Sequence, residues 1–345
     1  MINANLVSDP IDNEIFNAGS KPSPTFADRE AVSLTRPRRS HRPFDAVVGQ
    51  ATAVELLRRI ATGITYGGEA DPILLQGPSG RGKTLLASQF ATALSMPLIS
   101  ITCGREVTPV AFVEKISAQT APAVVFLDEV HSLPKKTMET TFLAIDDARL
   151  PALKNGSIDR TSPPTEITRH VWMAATNMPG GLLRALRSRL VTITLSNYSR
   201  EELEQIALLK AESLYLTFDA DALTFVAQVC GGSPRVLGHL LKTIAVTTID
   251  WRYERDYEDA DATLGLAMVE EVVALMGLAR DGLDATSRGI LAAISAQPSG
   301  STSAESLSVV TGLDLPFVRE RLAELRGRGL VTASPGRGWT VTPRS

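Results

Sequence analysis

The eight residues "GPSGRGKT", from Gly77 to Thr84, lie between the apolar run "PILLQ" and the helical pattern "LLASQFATALS". Their spacing fits G-x-x-x-x-G-K-[S/T], a phosphate-binding loop that joins a buried strand to a helix. The glycines Gly77, Gly80 and Gly82 let backbone N–H groups converge on an anion, and the N-terminal end of the helix adds its dipole. We therefore predict bound ATP, with Lys83 on the β and γ oxygens and the Thr84 hydroxyl on Mg²⁺.

Short β-rich runs alternate with helical patterns along the first half of the chain. The runs are "PILLQ", "PLISITC", "AVVFLDEV" and "HVWMAATN". Strands separated by helices indicate a parallel sheet with crossover helices, which is the α/β fold class. Ligands of such sheets bind at the carboxyl ends of the strands, so polar groups at these ends are candidate site residues.

Two strand ends carry such groups. Asp128 and Glu129 follow an apolar strand, where adjacent carboxylates are costly unless a cation or water shares them. We predict that Asp128 holds Mg²⁺ and that Glu129 polarises the attacking water, against the alternative of a solvated acidic pair. At the end of "AATN", either Thr176 or Asn177 orients the water or senses the γ-phosphate, or simply caps the strand.

Arginines provide a further group of candidates. Arg187 and Arg189 in "LLRALRSRL" are suited to stabilising transition-state charge from a neighbouring subunit, whereas Arg184 fits a solvated helix face. Arg235 begins a helix, where a cation opposes the helix dipole and is easier to explain beside a phosphate. His131 is interpreted as structural or supporting, because no nucleophile accompanies it.

The 345 residues are long enough for several domains, and the pattern changes twice. We predict a flexible N-terminal tail over 1–40, a large ATPase domain over 41–198, a helical lid over 199–277 and a winged helix over 278–345. The lid begins with a capping box formed by Ser199 and Glu202. The last domain combines three helices with the hairpin "LVTAS", "PGRG", "WTVTP".

Composition excludes some classes of protein. A net charge of −3 argues against coating nucleic acid by bulk electrostatics, although a local basic patch remains possible. The two cysteines, Cys103 and Cys230, are far apart and suggest neither a zinc site nor a disulfide framework. With no membrane-length apolar run and no signal-peptide pattern, we expect a cytoplasmic protein.

Taken in order, "RPFDAVVGQ", "GPSGRGKT", "VVFLDEVHSL", "AATN", "LLRALRSRL" and "GGSPRVLGHLL" resemble the AAA+ ATPases, and more narrowly the RuvB motors of Holliday-junction branch migration. The resemblance runs from about His41 to Pro343. It implies a hexameric ring around duplex or four-way-junction DNA, assisted by a junction-binding protein. It also implies roles by position: Arg42 beside the adenine, Tyr198 on the nucleotide, Thr176 or Asn177 as first sensor, Arg187 or Arg189 as trans-acting finger, and Arg235 as lid sensor.

The chain departs from the family pattern at several positions. Ser79 and Arg81 stand where a proline and a small apolar residue are usual, and Leu190 replaces a phenylalanine. The segment "LPALKNGSIDRTSPPTEITRH" occupies the place of the partner-binding hairpin but is less apolar. In the wing, the arginine-rich tip is reduced to Arg337, the candidate DNA contact.

Three functions follow from these features. The leading hypothesis is an ATP-driven DNA translocase, and the alternative is an AAA+ loader or remodeller that acts on a protein client. The third is a nucleotide-binding switch with negligible turnover, against which Glu129 and the paired arginines argue. The patterns leave open the preferred DNA structure, the direction of movement and the ring size.

Overall fold

The computed structural model describes residues 42–45, 47–69, 71–182, 184–249, 263–298, 300–334 and 338–342. The predicted tail over 1–40 and the wing residue Arg337 lie outside the described residues. From Arg42 onward the chain forms one compact unit. Within it, buried apolar side chains gather into four clusters, two of which belong to the first, α/β part.

The centre of the α/β part is a parallel sheet of five strands. These strands are β1 (Ile73–Gln76), β2 (Leu98–Thr102), β3 (Val124–Asp128), β8 (Val171–Thr176) and β9 (Val191–Thr194). Their order across the sheet is β2-β3-β8-β1-β9. The four runs predicted from the sequence are β1, β2, β3 and β8. The α/β fold class with a parallel sheet is therefore confirmed.

The sheet is buried on both faces, since each face packs against its own apolar cluster. Successive side chains of a strand point to opposite faces and so enter different clusters. In β3, Val125 and Leu127 enter one core cluster, while Val124 and Phe126 enter the other. Phe126 is fully buried, and burying such a side chain contributes about 1.5–3 kcal/mol. This two-sided core fixes the carboxyl ends of β1, β3 and β8 side by side, where the polar residues begin.

Helices cover the two faces of the sheet, and short hairpin strands extend from the body. The helices are α1 (Ala51–Thr65), α2 (Lys83–Ala93), α3 (Pro109–Ser117), α4 (Lys135–Asp147) and α5 (Arg184–Arg187). The short strands are β4 (Arg149–Leu150), β5 (Ala152–Lys154), β6 (Ser157–Asp159) and β7 (Thr165–Glu166). Asn155 and Gly156, both with positive φ, form the turn that joins β5 to the antiparallel β6.

A second part, mainly helical, packs around its own apolar cluster. Its elements are α6 (Arg200–Ser213), β10 (Thr217–Phe218), α7 (Ala220–Val229), α8 (Pro234–Thr247), β11 (Thr263–Leu264) and α9 (Leu266–Leu275). The capping box predicted at Ser199 and Glu202 is present at the start of α6. The lid was predicted to be helical, but it also contains two strands, because β10 and β11 pair in parallel. Each has two residues, too few for a period-2 pattern to be visible in the sequence.

The third part has three helices and a small antiparallel sheet around another cluster. Its elements are α10 (Ala285–Ser295), β12 (Ser301–Thr302), α11 (Ala304–Thr311), α12 (Leu315–Gly327), β13 (Val331–Ser334) and β14 (Gly338–Val341). The predicted three helices and hairpin are present. The additional strand β12 pairs with β14, so the sheet has three strands in the order β12-β14-β13.

None of the helices in the described part of the chain has the length and hydropathy that crossing a bilayer requires.

Candidate active site

A cavity of about 390 Å³ lies at the carboxyl ends of the strands, between the phosphate-binding loop and the helices of the second part. The loop contributes Ser79, Gly80, Gly82, Lys83 and Thr84 to its wall, and the end of β3 contributes Asp128 and Glu129. From beyond β9 come Tyr198 and Arg235. Residues that are far apart in the sequence, and that were predicted separately, therefore line one cavity.

The loop takes a backbone shape that requires glycine at two positions. Gly80 and Gly82 have φ of 79° and 90°, in the left-handed region that side chains disfavour. Gly80 also allows close approach, since a Cβ built on it would lie 2.6 Å from the Ser233 Oγ. Gly82 precedes the first residue of α2, so backbone N–H groups at this helix start face the cavity side of the loop.

Lys83 is buried at the start of α2, with 6% of its surface exposed. Its Nζ donates to the carbonyl oxygens of Gly77 and Pro78, both at 2.9 Å. Burial lowers the pKa of Lys83, while the carboxylates of Glu129 and Asp128 oppose that shift. Two backbone carbonyl groups therefore hold the Lys83 ammonium group at the base of the loop. Phosphate oxygens of a bound nucleotide would replace these carbonyl partners.

Asp128 and Thr84 bring together two oxygen ligands that suit a magnesium ion. The Thr84 hydroxyl donates to the Asp128 Oδ2 at 3.4 Å, while the Asp128 Oδ1 accepts from the backbone N–H of Glu129 at 3.0 Å. Within the described part of the chain, no group of three or more His, Cys, Asp or Glu side chains could cage a metal. One carboxylate and one hydroxyl fit Mg²⁺, which commonly keeps waters and takes further ligands from substrate phosphates.

Glu129 and His131 form a second polar group beside the cavity. Glu129 sits at φ 53°, in a conformation that turns the chain sharply after β3. Its Oε2 lies 3.4 Å from the His131 Nδ1, and the same Nδ1 lies 3.1 Å from the Oγ1 of the fully buried Thr176. His131 therefore links the end of β3 to the end of β8, consistent with the supporting role expected for it.

The helical part closes the cavity from the other side. Arg235 donates from Nη1 to the Ser79 Oγ at 2.9 Å, which brings a cation of α8 to the phosphate-binding loop. Tyr198 donates its hydroxyl to the Arg81 carbonyl oxygen at 3.1 Å, and burial raises the pKa of Tyr198. Both residues line the cavity, and the family resemblance implies a nucleotide contact for Tyr198 and a sensor for Arg235.

Several predicted residues lie elsewhere. Arg42 lines a separate cavity beside Asp45 and Arg58. Neither first-sensor candidate lines the first cavity, since Asn177 is exposed and Thr176 is fully buried. Arg187 donates from Nη2 to the Pro179 carbonyl oxygen. Arg189 pairs with Asp146 at 2.8 Å, and neither arginine lines the cavity of its own chain. The roles assigned to all the candidate residues, inside the cavity and outside it, remain predictions.

Some cavity residues were not foreseen. Ile206, Leu209 and Lys210 of α6 line the cavity opposite the loop. Leu209 is 47% exposed although it is apolar. The sequence carried a signal for it, because α6 contains more apolar residues than one buried stripe needs.

The two thiols are removed from this chemistry. Cys103 and Cys230 are free and buried. Burial, followed by the charge of Asp128, raises the pKa of Cys103 to about 12, and burial also raises the pKa of Cys230. Both are protonated near neutral pH and behave as small buried hydrophobes.

Comparison with known proteins agrees with this site. The AAA family, described as ATPase family associated with various cellular activities, matches residues 73–198, which contain the loop, Asp128 and Glu129. In solved structures, the fold is similar to a RuvB mutant of Thermotoga maritima, with a TM-score of 0.73 and 23% identity over 88% of this chain and 95% of the other. The Thermotoga maritima RuvB Holliday junction branch migration motor gives a TM-score of 0.71 at 24% identity with the same coverage. These likenesses concern the fold.

Sequence relatives extend the similarity over nearly the whole chain. The Holliday junction branch migration complex subunit RuvB of Mycobacterium marinum is 28% identical over 343 residues, which cover 98% of this chain and 94% of the relative. The subunit of the same name from Clavibacter michiganensis is 30% identical over 307 residues, or 88% of this chain and 82% of the relative. Since the match spans the cavity and the parts that surround it, the chain belongs to the RuvB family of AAA ATPases.

Proposed function

We propose that this protein is an ATP-driven motor on DNA that performs branch migration of Holliday junctions. The observation that carries the proposal is the cavity in which Lys83, Thr84, Asp128, Glu129 and Arg235 meet. Those five side chains supply phosphate binding, metal ligands, a base for water and a sensor from the lid. The DNA substrate rests on the relatives, whose name assigns them to a branch migration complex.

In the proposed reaction, Lys83 holds the β and γ oxygens of ATP while Thr84 and Asp128 hold Mg²⁺. When bound, Mg²⁺ supplies charge neutralisation on the phosphate oxygens. Glu129 polarises the attacking water, and His131 lies between that carboxylate and Thr176, one of the two first-sensor candidates. Arg235 responds to the phosphate through the lid, as its contact with Ser79 suggests.

The remaining charge on the transition state is assigned to a neighbouring subunit. We propose a hexameric ring in which Arg187 or Arg189 reaches the cavity of the next protomer. Support comes from their placement, because Arg187 ends α5 and Arg189 follows it, and neither lines the cavity of its own chain. Arginines of this kind raise the rate by roughly 10³–10⁵ in other phosphoryl-transfer enzymes.

The three parts of the fold suggest a division of labour. We assign ATP hydrolysis to 41–198, lid motion to 199–277 and DNA contact to the winged helix over 278–345, with Arg337 as its wing contact. Separate apolar clusters support treating these parts as domains. A junction-binding protein is the further partner we propose, engaged through the β5–β6 hairpin.

The deciding experiment is ATP turnover by the purified protein, alone and with linear duplex or a four-way junction. Glu129→Gln serves as the blank, and Glu139→Gln, a change of an exposed glutamate on α4, is the matched control. Stimulation by DNA, strongest with the junction and followed by strand exchange, is the expected result. Turnover that ignores both DNAs would refute the motor proposal and favour a loader or remodeller of a protein client.

A further inference from the structure

A second cavity, of about 370 Å³, lies behind the phosphate-binding loop, on the far side of Tyr198, which lines both cavities. Lys83 and Asp128, the predicted phosphate and metal contacts, do not line it. Three arginines reach it from three parts of the fold: Arg81 from the loop, Arg200 from the start of α6, and Arg328 from the end of α12. Among the described residues that line it, none is acidic. The cavity is therefore an open cleft whose charged wall residues are all positive.

Arg81 carries the strongest argument. Only 5% of its surface is exposed, and its Nε is buried without a hydrogen-bond partner among the described residues. Its Nη1 donates to the Gly232 carbonyl oxygen, and its guanidinium lies 6.0 Å from the centre of the Tyr198 ring. Neither neighbour is an anion. A guanidinium stays charged in proteins, and a buried charge without a counter-charge is strongly unfavourable.

The electrostatics of the loop agree with that description. Burial lowers the pKa of Arg81, and the groups that oppose the shift are the Tyr198 phenol and the Cys230 thiol, both neutral near pH 7. Among the described residues, no carboxylate raises the pKa of Arg81. Arg81 also lowers the pKa of Lys83, so its charge is felt within the loop.

Arg328, at the end of α12, lies against the turn of Gly231 and Gly232, whose carbonyl oxygen also contacts Arg81. Its guanidinium packs so closely on Gly231 that any Cβ there would collide with it, and Gly231 has a φ of 59°. Its Nη1 donates to the Gly282 carbonyl oxygen at 3.0 Å. Asp284, which feels the charge of Arg328, already accepts from the Ser287 N–H at 2.6 Å and lies 3.7 Å from Arg321.

The third arginine is the most exposed of the three. Arg200 donates from Nε to the Glu204 Oε1 at 3.2 Å, but Glu204 does not line the cavity. Asn197 and Gln228 add amide groups to the wall. Converging guanidinium and amide donors match the oxygens of a phosphate group, which arginines bind in a bidentate manner.

We propose that this cavity is a second anion site, separate from the ATP site, and that it binds a phosphate group between Arg81, Arg200 and Arg328. The bound group would join the phosphate-binding loop, the lid and the winged helix, because each supplies one of the three arginines. It would also compensate the charge of Arg81. Two sources share this chemistry, free phosphate and a phosphate of the DNA backbone.

The test is thermal unfolding of the full chain with added inorganic phosphate, compared with chloride at equal ionic strength. A saturating non-hydrolysable ATP analogue with Mg²⁺ fills the first cavity, so that phosphate cannot bind there. The variants are Arg328→Gln and Arg81→Gln. Arg288→Gln is the matched control, since Arg288 is an exposed arginine of the same winged-helix part that does not line the cavity.

Wild type and Arg288→Gln are expected to gain Tm with phosphate beyond the effect of chloride. Arg328→Gln and Arg81→Gln should weaken the apparent phosphate affinity by about tenfold or more, the loss of one charged contact. Each variant is compared with itself, so lower stability does not obscure the result. An absent phosphate effect in wild type, or an undiminished effect in Arg328→Gln, overturns the proposal.

Short duplex DNA then distinguishes the two sources. If the phosphate belongs to DNA, duplex removes the phosphate effect, and Arg328→Gln reduces the slope of log affinity against log salt by about one. If it is free phosphate, the effect persists with duplex present and the slope is unchanged. Neither readout depends on hydrolysis, so a failure of the motor proposal would appear separately as absent DNA-stimulated turnover.

Discussion

Replacing Gly80 by alanine tests whether the phosphate-binding loop packs closely against the turn before α8, which we call the lid turn (residues 231–233). Gly80 has a φ of 79°, so any side chain there adopts the left-handed conformation, at a cost of about 1–2 kcal/mol. The new Cβ would also lie 2.6 Å from the Ser233 Oγ and 3.3 Å from the Arg235 Cβ. The first of these contacts is closer than real Cβ atoms allow.

The overlap is relieved if the Ser233 side chain rotates away from its capping position and the lid turn moves away from the loop. Ser233 caps α8 by accepting from the Val236 N–H, and losing such a cap costs about 0.5–2 kcal/mol. Strain and cap together predict that Gly80→Ala lowers the free energy of unfolding by about 1.5–4 kcal/mol. Arg235 moves with the turn, so nucleotide affinity should fall by about tenfold or more, equivalent to at least ~1.4 kcal/mol.

The assays are titration with a fluorescent ADP analogue and equilibrium unfolding in urea. Gly156→Ala is the control, because Gly156 has a φ of 71° but open space around its Cβ position. It should lose stability and keep nucleotide affinity. Adding Ser233→Gly to Gly80→Ala removes the overlapping oxygen and should restore part of the affinity. Wild-type affinity in Gly80→Ala, or no recovery in the double variant, would refute the reasoning.

Three further predictions follow from the site. Lys83→Ala should lose ATP binding and turnover, whereas Glu129→Gln should bind ATP without turnover; normal hydrolysis by Glu129→Gln would disprove its role. Arg187→Ala or Arg189→Ala subunits should regain activity when mixed with Lys83→Ala subunits, and failure in every mixture would count against a shared site. Because burial raises the pKa of both thiols, to about 12 for Cys103, a thiol reagent at pH 8 should modify Cys103 and Cys230 only after denaturation. Modification of the native protein at the unfolded rate would contradict their burial.

The sheet and the centre of the site were predictable because their signals are local. A buried parallel strand reads as an apolar run, and the residue that ends it is visible in the sequence, as for Asp128 after β3. The phosphate-binding loop requires glycine at Gly80 and Gly82, so its spacing is also explicit. The capping box at Ser199 and Glu202 was also predictable, because its two residues stand three positions apart in the sequence.

Contacts between distant segments could not be predicted in this way. The pairing of β10 with β11 joins Thr217 to Thr263, and neither strand is long enough to show alternation. The surplus of apolar residues on α6 signals that a second side of this helix is covered, but that Ile206, Leu209 and Lys210 face the phosphate-binding loop depends on packing. Arg81 stood out only as a departure from a family pattern, and its burial against Gly232 became visible in three dimensions.

The charges of the first cavity explain why a trans-acting arginine belongs in the proposal. Its wall carries the cations Lys83, Lys210 and Arg235 against the carboxylates Asp128 and Glu129, so the protein charges nearly cancel. A magnesium-bound nucleoside triphosphate is still an anion, and negative charge on its transferring phosphoryl group must be stabilised in the transition state. The chain's own cavity supplies little surplus charge for this purpose, while Arg187 and Arg189 point their charge elsewhere. In the proposed ring, an arginine donated across a subunit boundary would supply the missing positive charge, and this would make hydrolysis depend on assembly.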